Sequence, residues 1–156
     1  MRPGLYKFLK QTSEHYEIVI FTASQSYYAN EVLNIIDPSN ELISFRLFHD
    51  HCYRTKGGHL IKDIRIIKNR QMSNIVIVDN AAYSYAMQTE NGVPIVPFFD
   101  DKLDNELVEL SSYLVKLAKV QDVRDTIYKD FHVELFKTHC SVPNELRDKI
   151  VQSRNK

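Results

Sequence analysis

The sequence has no excess of charge of either sign, few cysteines and no long apolar run. Lysine and arginine together number 20, as do aspartate and glutamate, so the formal net charge is zero. No basic stripe or acidic tail stands out, and the composition gives no support to direct nucleic-acid binding. Cys52 and Cys140 lie far apart, which argues against a disulfide framework and favours a reducing compartment.

Signals for a membrane or for secretion are also lacking. No apolar run approaches the roughly 18 residues of a membrane span, and the N-terminal residues lack the apolar core of a secretory signal. We therefore expect an intracellular protein, with the nucleus or cytoplasm ranked ahead of the mitochondrion. No Gly-rich phosphate loop follows a predicted strand, which disfavours a flavodoxin-like nucleotide-binding or redox domain.

What is present is organised around the stretch Asn-Ile-Val-Ile-Val-Asp-Asn at residues 74–80. An apolar run without alternation predicts a strand covered on both faces in a parallel sheet. A second apolar strand, residues 17–21, runs into Thr22 and Ser24. Ligands bind at the carboxyl ends of such strands, so these polar residues are the first candidates for chemistry.

The 156 residues have the size of one domain and are 44% apolar, which is enough to bury a core. Apolar spacing and Pro and Gly positions predict an alternation of helices and strands. The predicted helices cover residues 2–15, 24–37, 64–71, 81–88, 103–119, 123–128 and 143–152; the strands cover 17–21, 44–48, 59–63, 74–79 and 92–99, the last an edge strand because of its two prolines.

Five residues could form an anion and metal site: Thr22, Ser24, Lys62, Asp79 and Asn80. A lysine neutralises a phosphate, hydroxyl groups hydrogen-bond its oxygens, and carboxylate and amide oxygens suit Mg²⁺. Each residue also has a simpler interpretation. Thr22 or Ser24 could cap the following helix, and Lys62 could be a solvated surface lysine. Asp79 is the strongest candidate, because a buried acid needs a partner.

The order of these pieces resembles the RNA polymerase II C-terminal-domain phosphatase family, the small-phosphatase and Dullard-like branch (the NLI-interacting-factor-like domain) of the haloacid dehalogenase superfamily. The resemblance covers about residues 2–129 and leaves residues 130–156 as a polar tail with one predicted short helix. The motifs are Arg2-Pro3-Gly4, Phe21-Thr22-Ala23-Ser24, Arg46-Leu47-Phe48 with Cys52, Lys62-Asp63, Val78-Asp79-Asn80, Pro94 and Phe98-Phe99-Asp100.

The resemblance implies a haloacid-dehalogenase-like (Rossmann-like) α/β fold, a parallel sheet flanked by helices. It also implies a Mg²⁺-dependent phosphoserine or phosphothreonine protein phosphatase that works through an aspartyl-phosphate, with a phosphoprotein as partner. In that scheme Lys62 and Asp79 are catalytic, with Asp79 orienting Lys62, and Asn80 is the direct metal ligand beside Asp79. The resemblance assigns phosphate and substrate contacts to Thr22, Ser24, Tyr28, His49 and Lys62. For Tyr28, packing on the core is an equal alternative to lining a substrate pocket.

The family's Asp-x-Asp-x-Thr motif, whose first aspartate is the nucleophile, is not found in these residues. We therefore expect this chain to be N-terminally incomplete and inactive, to bind Mg²⁺ weakly, and to lack the first central strand, so that strands 17–21 and 74–79 each keep an unpaired edge. His49 stands where relatives often carry an arginine, which lowers the expected phosphate affinity. His49, His51, Cys52 and His59 fit no closed zinc pattern.

A second hypothesis from another class is a non-catalytic module of the same fold. Such a module would hold phosphopeptides or presequence-like segments, as in the relative that acts as a receptor in mitochondrial protein import.

Overall fold

The structure is a computed structural model that describes residues 1–131. The predicted helix at 143–152 and Cys140 lie outside the described residues. The described residues form two compact units, the first made of Met1–Tyr53 and Val96–Lys119 and the second of Arg54–Ile95 and the described residues from Val120 onward. Within residues 1–131, no helix is long and apolar enough to cross a membrane.

The first unit contains a two-stranded parallel sheet with three α-helices. Strand β1 pairs with β2 in the register Ile18↔Ile43 and Phe21↔Leu47. These elements confirm the predicted helices and strands of this region, with shorter ends. Their bounds are α1 Leu5–Ser13, β1 Ile18–Phe21, α2 Ser26–Ile36, β2 Ile43–Leu47 and α3 Glu106–Leu117, with a 3₁₀ turn at His49–His51.

Among the described residues, strand β1 pairs with β2 on one edge and has no strand partner on the other. All four of its side chains are only half-buried, although the run Ile-Val-Ile-Phe is typical of a strand covered on both faces. The open edge explains this partial burial, because a neighbouring strand would cover part of both faces.

Helix α3 buries Leu107, Leu110, Leu114 and Leu117. It begins three residues later than its predicted leucine stripe, and Leu103 is 90% exposed. Asp101 and Asp104 bind backbone N–H groups just before the helix, those of Leu103 and Glu106 respectively. Arg2 in turn binds both oxygens of Asp104 at 2.7 Å, and this side-chain hydrogen bond lowers the pKa of Asp104. The aspartates therefore form a turn where apolar spacing alone predicts helix.

The turn after α2 is organised by a buried carboxylate. Asp37 is 2% exposed, and its oxygens accept the backbone N–H groups of Glu41, Leu42 and Ile43 at 2.8–3.1 Å. Burial by itself raises the pKa of Asp37, but these three hydrogen bonds outweigh it, so the pKa lies below its ordinary value.

Replacing Asp37 with asparagine should cost stability in a pH-dependent way. A carboxyl whose pKa is lowered by folding contributes stability above its unfolded pKa, about 3.9, and loses it as the pH falls through the folded value. The difference in unfolding free energy between the wild type and Asp37→Asn should be largest and constant above about pH 5, and it should become smaller below about pH 4. Urea titrations across this range measure it. Glu14→Gln, at an exposed position, is the control, and an equal pH dependence of the two variants would contradict the assignment.

The second unit has its own parallel pair of strands. Strand β5, Ile77–Asp79, pairs with β6, Gly92–Pro94, so that Ile77 faces Gly92 and Asp79 faces Pro94. Strand β5 likewise pairs with one strand among residues 1–131. The ladder of β6 ends at Pro94, short of the predicted 92–99, because neither Pro94 nor Pro97 can donate a ladder hydrogen bond.

The predicted helix at 81–88 is wrong. The chain forms a 3₁₀ turn at Ala82–Tyr85 and a second one at Thr89–Asn91. The Ser84 carbonyl, which an α-helix over 81–88 would pair with the N–H of Gln88, accepts the N–H of Lys62, and the Gln88 N–H binds the Tyr85 carbonyl. Likewise the predicted helix at 64–71 is a single 3₁₀ turn at Ile64–Ile66.

The remaining elements complete the second unit. A hairpin of β3, Tyr53–Arg54, and β4, Leu60–Ile61, leads into it, and α4, Val123–Phe131, ends the described chain. Its core consists of Ile64, Ile75, Ile77 and Tyr85, and α4 adds two buried residues, Val123 and Ile127. The short strand β4 therefore enters a packed region immediately before Lys62.

Candidate phosphate site

Lys62 and Asp79 form an ion pair in the second unit. The Nζ atom of Lys62 lies 2.5 Å from Oδ2 of Asp79, although the residues are 17 positions apart in sequence. The Lys62 side chain is 16% exposed and that of Asp79 is 8% exposed. The lysine backbone is held as well, because its N–H donates to the Ser84 carbonyl at 2.6 Å. The ammonium group is thus fixed at the carboxyl end of β5 while part of it faces solvent.

Asp79 has both carboxylate oxygens in use. Oδ2 accepts from Lys62, and Oδ1 accepts the backbone N–H of Ala81 at 2.7 Å. The second bond turns the chain at the end of β5, which is why Asp79 is buried at 8% exposure and Asn80 is exposed. Asp79 is therefore suited to orient the lysine, and a lysine in this position can neutralise an anionic oxygen.

The residues at this strand end fit only part of a Mg²⁺ site. Mg²⁺ takes six oxygen ligands in an octahedron. The Asn80 side chain makes no hydrogen bond to residues 1–131, so its amide oxygen is available, whereas both Asp79 oxygens are bound. Within the described chain no group of three or more His, Cys, Asp or Glu residues is placed to hold a metal ion.

Thr22 and Ser24 lie at the carboxyl end of β1, in the first unit. The N–H of Thr22 extends the ladder to the Leu47 carbonyl at 2.9 Å, and its Oγ1 accepts the N–H of Ser24 at 3.1 Å. The Ser24 carbonyl accepts the N–H of His49 at 3.0 Å. The interpretation of Thr22 or Ser24 as a helix cap is wrong, because Gln25 occupies the N-cap position of α2 and no side chain caps it.

His49 belongs to the turn that follows β2. Its Nδ1 lies 2.9 Å from Oδ1 of Asp50, and its side chain is 24% exposed. The neighbouring His51 accepts the N–H of Phe48 through Nδ1, and the thiol of Cys52 lies 3.8 Å from the Phe48 carbonyl oxygen. The turn is therefore joined to the Thr22–Ser24 loop through the backbone N–H of His49, and the side chains of His51 and Cys52 contact the backbone of Phe48 within the turn.

Tyr28 is 60% exposed on α2. The alternative that it packs in the core is therefore wrong. Its role in a substrate pocket stays a prediction.

Sequence reasoning missed the backbone groups that hold the ion pair. The Ser84 carbonyl and the Ala81 N–H contribute through the main chain, so their residue types carry no signal. Gln88 was missed too. Its side chain accepts the N–H of Ile64 at 3.2 Å and donates to Asp63 at 3.1 Å, which steadies the segment that follows Lys62. The sequence signal that could have identified Gln88 is a polar amide that follows Ala86 and Met87 near the predicted site, because a buried side-chain amide needs hydrogen-bond partners.

Comparison with known proteins supports the resemblance seen in the sequence. The family of NLI interacting factor-like phosphatases matches residues 1–124. The chain is 42% identical over 130 residues to "CTD small phosphatase-like protein 2" of Dictyostelium discoideum, covering 83% of this chain and 22% of that protein. It is 35% identical over 157 residues to the mitochondrial import inner membrane translocase subunit TIM50 of Candida glabrata, covering 99% of this chain and 30% of that protein.

A solved structure agrees with these matches. The structure of Fcp1, an essential RNA polymerase II CTD phosphatase, matches with a TM-score of 0.55 and 26% identity, covering 94% of this chain and 40% of Fcp1. The chain spans between 22% and 44% of the length of the curated relatives that it matches. The α/β fold with parallel strands, predicted from the sequence, is confirmed by this likeness. On the family match over residues 1–124, the chain belongs to the NLI interacting factor-like phosphatases, which share the haloacid-dehalogenase-like fold of Fcp1.

Proposed function

We propose that Lys62, held by Asp79, binds the phosphoryl group of a phosphoserine or phosphothreonine in a protein substrate. The observation that carries this proposal is the ion pair at the carboxyl end of β5, with Lys62 fixed through both its side chain and its backbone. Asp79 keeps the ammonium in place, so little side-chain entropy is lost when an anion binds. The Lys62 side chain is 16% exposed, so its charge lies in surroundings less polar than water, which strengthens its attraction for phosphate.

Thr22, Ser24 and His49 are proposed as further phosphate ligands in the first unit. The Thr22 hydroxyl accepts one hydrogen bond from Ser24 and keeps its proton to donate. Imidazole carries less charge at neutral pH than the arginine often found at this position in relatives, so His49 should contribute less affinity than that arginine. Tyr28 is proposed to contact the substrate residue beside the phosphate. We propose residues 2–129 as the extent of the phosphatase-like domain.

We further propose that residues 1–156 tested alone bind phosphopeptides without hydrolysing them. The family's aspartyl-phosphate chemistry needs an attacking carboxylate in an Asp-x-Asp-x-Thr motif, and these residues contain none. Asp79 is no substitute, because Lys62 and the Ala81 N–H occupy both of its oxygens. Mg²⁺ in this family would neutralise phosphate charge when bound. Asn80 is the residue here that could contact it, and we expect weak Mg²⁺ binding.

The second candidate function is a non-catalytic binding module. The match to the TIM50 subunit over 99% of the chain favours it, since that relative is a subunit of a protein translocase. A presequence-like ligand is basic and carries no phosphate, so the two functions differ in whether binding requires a phosphoryl group.

Phosphopeptide binding tests the proposal directly. A fluorescent serine peptide, phosphorylated or not, is titrated with the 156-residue chain with and without Mg²⁺, and released phosphate is measured in parallel. We expect the phosphopeptide to bind at least about tenfold more tightly, because a charge-assisted hydrogen bond contributes roughly 1.5–3 kcal/mol. We expect no release of phosphate.

The matched variants separate phosphate binding from folding. In the double variant Lys62→Met/Asp79→Asn both charges are removed together, so no buried charge is left unpaired, and the preference for the phosphopeptide should disappear. Lys68→Met, at an exposed position, should leave it unchanged. Equal binding of the two peptides to the wild type would contradict the proposed function. Equal affinity for an unphosphorylated basic peptide would favour the binding module, and turnover abolished by Asp79→Asn would refute the predicted inactivity.

A further inference from the structure

The second unit carries a local excess of positive charge that the balance of the whole chain conceals. Residues 54–70 contain six lysines and arginines and one acidic residue, Asp63. The six are Arg54, Lys56, Lys62, Arg65, Lys68 and Arg70. Segment 82–88, which packs beside the start of this stretch, has no charged residue. The surface around Lys62 therefore has few carboxylates to offset its cations.

The carboxylates that are present are already paired. Asp63 binds Arg65 through both oxygens at 2.6–3.2 Å, and Asp79 binds Lys62. Lys56 and Lys68 are exposed and form no ion pair with residues 1–131. Their charges are therefore available to a partner, and an approaching basic peptide would be repelled.

Lys56 lies in a tightly bonded turn between β3 and β4, which we call the basic hairpin (residues 54–61). The N–H of Thr55 binds the His59 carbonyl at 2.9 Å, and the N–H of His59 binds the hydroxyl of Thr55 at 3.1 Å. Gly58 allows the turn with a φ of 83°, in the left-handed region. These bonds fix the hairpin, so Lys56 is presented on an ordered element.

The basic hairpin leads directly into Lys62. From His59 to Lys62 an extended chain spans about 10 Å, at roughly 3.3 Å per residue. A substrate peptide lying extended with its phosphoryl group at Lys62 would therefore bring a residue about three to five positions away to the turn that carries Lys56. His59 and Tyr83, both exposed, make a T-shaped ring contact at 6.2 Å beside this path and present an aromatic surface to the peptide backbone.

We infer that the basic hairpin docks an acidic segment of the phosphoprotein substrate, about three to five residues from the phosphorylated residue. This inference rests on the proposed function, because it takes Lys62 as the phosphate-binding residue. The partner chemistry is a run of aspartate, glutamate or further phosphorylated residues. Charge complementarity selects it, since the hairpin presents the exposed Lys56, which forms no ion pair with residues 1–131, and none of its residues 54–61 is acidic.

Two sets of four peptides test the inference with the 156-residue chain. The peptides of a set share one sequence and carry either serine or phosphoserine at one position. Three glutamates or three glutamines begin at the third residue from that position. They lie on its N-terminal side in one set and on its C-terminal side in the other. In fluorescence anisotropy titrations the phosphorylated glutamate peptide should bind about five- to tenfold more tightly than its glutamine counterpart on one of the two sides, and high salt should weaken this preference.

Charge reversals locate the effect. Lys56→Glu should abolish the preference for glutamate and leave the preference for phosphoserine intact, whereas Lys129→Glu, at an exposed site on α4, should change neither. Equal binding of the two phosphorylated peptides would overturn the inference, as would an equal loss in Lys129→Glu. Equal binding of phosphorylated and unphosphorylated peptides would instead contradict the proposed function, so the two failures are distinguishable.

Discussion

Replacing Asn91 with alanine should lower the free energy of unfolding by about 2–4 kcal/mol, because the buried Ile75 carbonyl loses this donor, the Met72 carbonyl loses the shorter of its two hydrogen bonds, and a cavity is left. Asn91 is 2% exposed, and its Nδ2 donates to the carbonyls of Met72 and Ile75, both at 2.7 Å. These bonds join the turn before β6 to the segment that enters β5. Removing the amide takes the Nδ2 donor away from both carbonyls, leaves the Met72 carbonyl with the longer bond from the Ile75 N–H at 3.3 Å, and opens a cavity.

The isosteric variant Asn91→Asp makes the origin of this effect measurable. An aspartate has no N–H, so at neutral pH a carboxylate would face two carbonyl oxygens, and this variant should be less stable than Asn91→Ala. Folding then raises the pKa of that carboxyl, and part of the lost stability should return as the pH falls and the group is protonated. Urea unfolding at several pH values measures this, with Asn69→Ala at an exposed site as the control, expected within about 0.5 kcal/mol of the wild type. Wild-type stability of Asn91→Asp at pH 7 would contradict the assignment.

Breaking the Lys62–Asp79 pair from the lysine side should be the most damaging single change at the candidate site. Lys62→Met leaves the Asp79 carboxylate, 8% exposed, without its counterion, and removing one partner of a buried pair costs about 3–5 kcal/mol. Asp79→Asn should cost less, because the long lysine side chain can carry its charge toward solvent. The asymmetry follows from the burial of the two groups.

The double variant Lys62→Met/Asp79→Asn should recover much of the stability that Lys62→Met loses, since it buries no unpaired charge. Denaturant unfolding of the four proteins forms a double-mutant cycle. Arg65→Met, which breaks the exposed pair with Asp63, should cost no more than about 1 kcal/mol because Arg65 is 58% exposed. Two results would contradict burial of the pair as the cause of the stability loss in Lys62→Met. One is a double variant as unstable as Lys62→Met, and the other is a stability loss in Arg65→Met as large as that in Lys62→Met.

The elements with strong periodicity were predictable from local residues. Helices α2 and α3 and strands β1 and β2 follow from apolar spacing, because burying one face or one run of side chains decides their conformation. Residues 81–88 show the limit of this reasoning. Their spacing suits a helix, but the Ser84 carbonyl, which a helix would pair with the Gln88 N–H, accepts the N–H of Lys62, and this contact with a residue distant in the chain outweighs local propensity.

Taken alone, the sequence was enough to specify the family, through motifs in a set order, and to place Thr22, Ser24, Asp79 and Asn80 at strand ends. Those features depend on residue type and spacing along one chain. Tertiary structure decided that both carboxylate oxygens of Asp79 accept hydrogen bonds, from Lys62 and from the Ala81 N–H, and that Asn80 is exposed. It also decided that Lys56 lies on the hairpin that leads into Lys62. These features arise from hydrogen bonds and ion pairs between segments distant in sequence, and such pairings form only when folding brings the segments together.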